Sequence, residues 1–96
     1  RFAMAIATSL TLILWSPASP SIGSWTPPGS IVATLTTTGP TPSDLEFGPP
    51  QFDAGGVYAL RKTGTNEWRL IINPDGPGVG GDTEQVTDQV TIRPVA

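Results

Sequence analysis

The sequence predicts an all-β fold, a small antiparallel β-sandwich of six to seven short strands with essentially no helix. Three observations lead there. Apolar residues alternate with polar or small ones in several stretches, as a strand with one buried face requires. No stretch carries the 3.6-residue apolar period of an amphipathic helix. Eleven prolines and eleven glycines cut the chain after residue 15 into pieces too short for helices. With 96 residues, the chain is expected to form a single β domain over residues 1–96, with room for one modest core.

The first element is the N-terminal apolar run. Met4, Ile6, Leu10, Leu12 and Leu14 fall on even positions, against Ala3, Ala5, Ala7, Ser9 and Thr11 on odd ones. This alternation predicts one long apolar strand or arm over residues 1–15, with Ile13 and Trp15 making its far end apolar on both faces. The run also has the outline of a secretory leader, one Arg ahead of apolar residues and Ser16-Pro17-Ala18-Ser19-Pro20 behind them, but a leader helix has no need of a period of two. As a helix it would reach about 21 Å, short of the ~30 Å hydrocarbon core, so no membrane span is expected. Starting at Arg1 rather than Met, the chain is expected to lack at least its initiating residue.

Further on, residues 22–25 and 31–38 lie between proline and glycine breaks. In the second stretch Ile31, Ala33 and Leu35 share one face, and Thr34, Thr36 and Thr38 share the other with Val32, a pattern for a half-exposed strand. Residues 56–73 read as a hairpin. Its strands are 56–62 and 67–73, and Thr63-Gly64-Thr65-Asn66 is the loop. Tyr58, Leu60, Trp68, Leu70 and Ile72 are expected in the core, with Arg61, Glu67 and Arg69 placed to pair charges across the strands. Asn73-Pro74-Asp75-Gly76 predicts a turn in which Asp75 bonds back to the backbone and Gly76 takes the left-handed position. Residues 77–82 are too rich in glycine for regular structure. A last strand over residues 86–95 places Val86, Val90 and Ile92 on one face, and Pro94 suits the edge of a sheet.

Leu45-Glu46-Phe47 followed by Phe52-Asp53-Ala54-Gly55-Gly56-Val57-Tyr58-Ala59-Leu60 resembles the E–F corner of immunoglobulin-like domains, of the kind found in virion accessory proteins. That resemblance implies an Ig-like (otherwise jelly-roll-like) sandwich, a corner role for Tyr58 with its hydroxyl bonded to upstream backbone, and Leu60 at the place of the second disulfide cysteine. The sequence departs from the pattern by one extra glycine and by having no cysteine.

Composition narrows function. No Cys and no His means no disulfide framework, no thiolate or imidazole metal site and no Ser-His-Asp triad. Five Lys plus Arg against eight Asp plus Glu give no basic stripe for phosphates, so no nucleic acid is expected as a partner. Gly76, Gly78 and Gly81 match a dinucleotide fingerprint in spacing alone, since Pro77 interrupts it and a strand, not a helix, is predicted to follow. Asp75, Asp82, Glu84 and Asp88 lack EF-hand spacing and read as a solvated acidic loop, with calcium left as a question for experiment. Spacing offers Asp44 with Glu46, or Asp53 with Glu67, as acid pairs, but a domain this small has little room for a cleft. No catalytic residue, cofactor or metal is expected, and the chain is not expected to be an enzyme.

The expectation is a structural or assembly protein acting through protein–protein contacts, most simply a virion subunit of the phage capsid decoration or cement type, at the virion or an extracellular surface. Its partners would be further copies of itself or a larger assembly such as a capsid. The interface residues expected are Met4, Ile6, Leu10, Leu12, Leu14, Trp15 and Trp25. Under this reading, removing residues 1–15 should abolish assembly and leave some β structure. The alternative is a secreted binding module for carbohydrate or a protein partner, with loops 23–29 and 75–84 as the contact surface and Trp25 as its exposed ring.

Overall fold

In the computed structural model, which describes residues 2–7, 12–38, 44–49, 51–81 and 87–95, the N-terminal apolar run forms two strands rather than one. The strands in chain order are β1 (Phe2–Ala7), β2 (Leu12–Ser16), β3 (Ile31–Thr38), β4 (Leu45–Phe47), β5 (Tyr58–Gly64), β6 (Glu67–Ile72) and β7 (Thr87–Pro94). They make two sheets, β1-β7-β4 and β2-β3-β6-β5. Among the described residues there is no helix, and so none long and apolar enough to cross a membrane. The all-β sandwich expected from the alternation is the architecture observed. Its ladders are antiparallel apart from one: β1 runs parallel to β7, with Phe2 opposite Thr87 and Ala7 opposite Ile92. First and last strands can pair this way because nearly the whole chain serves as the crossover.

The split of residues 1–15 changes what the segment does. It supplies one strand to each sheet, so it belongs to the body of the sandwich and is not an arm that can be removed with the rest left standing. It also changes the inward face. In β2 the odd residues turn inward: Ile13 is buried and Trp15 packs against the core, while Leu14 lies out on the surface opposite Thr36.

The core sits between the sheets. Leu45, Val90 and Ile92 from one sheet meet Leu35, Tyr58, Trp68, Leu70 and Ile72 from the other. Of the hairpin residues expected inside, Tyr58, Trp68, Leu70 and Ile72 are buried, and Leu60 is half-buried against them. Burying aliphatic and aromatic side chains of this size contributes about 1.5–3 kcal/mol each. At one end of the sandwich Lys62 of β5 lies over the Trp68 ring, 5.8 Å from its centroid, and its Nζ meets Asp44 just before β4 at 3.0 Å. The pair spans the two sheets at that end.

Bulges account for one departure from the expected faces and one from the expected pairing. In β3 the register shifts between Ile31 and Ala33, so Val32 and Ala33 are both buried and Ile31 is exposed, as an extra residue in one strand requires. In the hairpin the register shifts between Lys62 and Gly64, which sets Gly64 opposite Glu67 and Arg61 opposite Arg69. Two like charges therefore face each other on the outer surface, and Glu67 approaches Arg69 along its own strand, at 4.0 Å. The connection itself is shorter than expected, two residues, Thr65 and Asn66. The Asn66 carbonyl oxygen accepts the Thr37 amide at 2.9 Å, tying the turn to the end of β3.

Candidate functional site

Residues 22–25 form no strand. A single bridge at Ser21 gives way to a turn at Ser24 and Trp25. Pro27-Pro28-Gly29-Ser30 then closes a second turn, in which the Ser30 amide donates to the Pro27 carbonyl oxygen at 3.2 Å and Gly29 has φ +83°. Pro at the second and Gly at the third position are what this turn geometry requires. The Gly29 amide donates to the Ile72 carbonyl oxygen at 2.8 Å, and the Ile72 amide to that of Ser30 at 3.0 Å. Loop 23–29 is thereby fixed to the end of β6, where the loop after residue 72 begins.

The two loops expected to share a surface do meet. The Trp25 amide donates to the Gly80 carbonyl oxygen at 3.2 Å. The indole lies against Gly81 so closely that a Cβ there would come within 2.6–2.7 Å of Nε1, Cε2 and Cζ2. Trp25 is 75% exposed all the same, and it has φ +56°. A left-handed backbone costs an L-residue about 1–2 kcal/mol, and such strain persists only where surrounding contacts hold it. Here the holding contacts are the Gly80 bond and the bond from the Thr26 hydroxyl to the Gly23 carbonyl oxygen. The result is an indole backed by glycine and open to solvent.

Sequence reasoning placed Trp25 on the surface but missed what supports it, since the Gly80-Gly81 base lies far along the chain. It also missed Val79, which is buried in the core and anchors this loop from within. The turn at 73–76 differs in detail from its expected form. The Gly76 amide donates to the Asn73 carbonyl oxygen at 3.2 Å, but it is the Asn73 side chain, not Asp75, that bonds back, accepting the Asp75 amide at 3.0 Å. Gly76 is not left-handed. It is needed for room, because a Cβ at this position would run into the Gly56 carbonyl oxygen.

The second surface is the free edge of β2. The outer strands of the four-stranded sheet are β2 and β5. The β5 edge carries Arg61 and Lys62, whereas β2 (Leu-Ile-Leu-Trp-Ser) has no charge and leaves Leu14 49% exposed. Of the expected interface residues, Leu14 and Trp25 are thus at the surface, and Trp15 is half-buried against the core. Leu10 lies outside the described residues, and for Met4, Ile6 and Leu12 the description stops at the backbone.

Five of the carboxylates among the described residues are engaged in contacts within the fold. Asp44 pairs with Lys62, Glu46 with Arg93 Nε at 3.1 Å, and Asp53 accepts the Gly56 amide at 3.0 Å. Glu67 accepts the Thr63 hydroxyl at 2.9 Å. Asp88 accepts the Tyr58 hydroxyl at 2.7 Å, a bond across the sandwich where the immunoglobulin-like resemblance implied one to upstream backbone. In the acidic loop Asp75 is exposed, and Asp82 and Glu84 lie outside the described residues. Compared with known proteins, the chain matches no family model, no curated protein and no solved structure.

Proposed function

We propose that this domain is a non-catalytic structural subunit that works by assembling with other protein surfaces. The observation that carries the reading is the β2 edge, an uncharged outer strand with a half-exposed leucine and, among the described residues, no backbone partner on its outer side. Sheet edges of this kind are normally blunted by Lys, Pro or a bulge, because they template pairing with another chain. A virion or extracellular surface, with the domain decorating or cementing a larger shell, is the setting that suits a small, weakly charged, cysteine-free β domain. Light scattering of the intact chain across a concentration series tests it. A defined oligomer that grows with concentration is the expected result, and a strict monomer at the highest concentration overturns it. Truncation is the wrong tool, because residues 1–15 supply a strand to each sheet.

A second reading rests on Trp25, whose exposed indole on a strained, glycine-backed turn suits stacking against a sugar ring or an apolar side chain of a partner. Under it, Trp25→Ala abolishes binding in a glycan or peptide screen and leaves the oligomeric state unchanged. Gly81→Ala should also weaken that binding at least several-fold by displacing the ring, with a change in tryptophan emission. Equal binding by wild type and Trp25→Ala would remove this reading.

A further inference from the structure

We infer that the β2 edge pairs with the β2 edge of a second copy of this chain, antiparallel and about a two-fold axis through Leu14. This rests on the assembly reading above and names its partner. The geometry argues for a copy of the same strand. β2 has five residues, and Leu14 is the middle one. In an antiparallel pair centred there, Leu14 faces Leu14 of the copy, Ile13 faces Trp15, and Leu12 faces Ser16. Every backbone group on the edge then finds a partner, and the surface is self-complementary, as a two-fold interface must be.

Chemistry agrees with that register. No residue of β2 is charged, so no like charges meet across the axis, a juxtaposition that opposes pairing. The outer face next to Leu14 is formed by Thr36 and its neighbour Thr34 on β3. Two copies would therefore join as one eight-stranded sheet, with the two leucines covering each other in a threonine-rich surround. The other edge of the same sheet is unsuited to this, because a pair centred on Arg61, the middle residue of β5, sets two guanidinium groups against each other on the axis. Among the described residues no hydrogen bond beyond the β3 ladder engages β2. Five residues per edge bury much less than the ~1,600 Å² of a standard interface, so the pair is expected to be concentration-dependent.

The absence of cysteine gives a clean test. Leu14→Cys introduces the single thiol of the chain. In the proposed pair the two Cα atoms lie about 4.5–5.5 Å apart, within disulfide range. Thr36→Cys is the control: it sits on the same face one strand inward, which puts its copies three strand spacings apart, about 14 Å. Both variants are checked for native circular dichroism and oxidised with diamide at concentrations where the wild type is multimeric. A disulfide-linked dimer for Leu14→Cys and none for Thr36→Cys is the expected result. Leu14→Lys, with two ammonium groups on the axis, is expected to raise the dimer Kd at least tenfold, roughly, by light scattering. A multimeric wild type with no Leu14→Cys cross-link, or with Thr36→Cys linking equally, overturns β2 pairing and leaves assembly through another surface. A monomeric wild type with no cross-link overturns both.

Discussion

Tyr58→Ala is expected to lower the stability of the domain by about 3–5 kcal/mol, which at a urea m-value of about 1.5 kcal/mol per molar moves the midpoint down by about 2–3 M. Tyr58 is the largest fully buried side chain among the described residues, 1% exposed. It begins β5, stands opposite Ile72 and reaches across the core to Asp88 of β7. One substitution therefore opens a cavity in the four-stranded sheet's inner face and releases its bond to the other sheet. For 96 residues the total stability expected is roughly 5–14 kcal/mol, so the loss is a large share of it. Tyr58→Phe separates the two contributions. It keeps the ring and leaves the partly buried Asp88 carboxylate without this donor, which costs about 1.5–3 kcal/mol. Equilibrium urea unfolding of both variants checks the argument. Tyr58→Phe as stable as the wild type would show that the bond to Asp88 is not holding the sheets.

What the sequence made legible follows the range of each interaction. β3 and β6 stand where alternation put them and β5 begins and ends two residues later than expected, because a period of two is a local property and tertiary contacts merely select its face. Alternation says which residues share a face but not where a strand stops. Residues 8–11 hold Thr, Ser, Leu and Thr, with neither Pro nor Gly, so no turn chemistry marked the division of the N-terminal run into β1 and β2. The parallel ladder between Phe2–Ala7 and Thr87–Pro94 joins segments some 80 residues apart, and no local pattern encodes such a partner. Bulges were equally silent, yet one moves a face and the other a partner: Ile31 goes outside and Arg61 meets Arg69. The candidate site divides along the same line. Trp25 between Gly23-Ser24 and Thr26-Pro27-Pro28 reads as an exposed ring, whereas its seat on Gly80 and Gly81 is a long-range contact. Leu14 is expected at an interface and does lie outside, but the alternation does not show that the odd residues of β2 face the core or that β2 is an outer strand; both follow from its long-range pairing with β3.

The same loop end makes Gly76 the glycine with least tolerance among the described residues. Its neighbours at close range are the Gly56 carbonyl group and the Asn73 Cβ, the latter 3.2 Å from where a methyl group would sit. The Gly56 oxygen is already committed, accepting from the Asn73 side-chain amide at 3.1 Å, and the Asn73 amide nitrogen donates to Val57 at 2.9 Å. A methyl group at residue 76 has no flexible side chain to push aside, so the turn at 73–76 must part from the segment at 53–57. Overpacking of this kind costs about 1–3 kcal/mol, and losing the Asn73–Gly56 bond adds about 0.5–1.5 kcal/mol. Gly76→Ala is therefore expected to destabilise the domain by about 2–4 kcal/mol. Gly78 differs in kind: nothing lies within 4 Å of its would-be Cβ, and its demand is a φ of +79°. Gly78→Asn, which tolerates that backbone, should cost under about 1 kcal/mol. Urea unfolding of the two variants side by side decides between crowding and conformation. A Gly76→Ala protein no less stable than Gly78→Asn would mean that the two loops are not packed as closely as their hydrogen bonds imply.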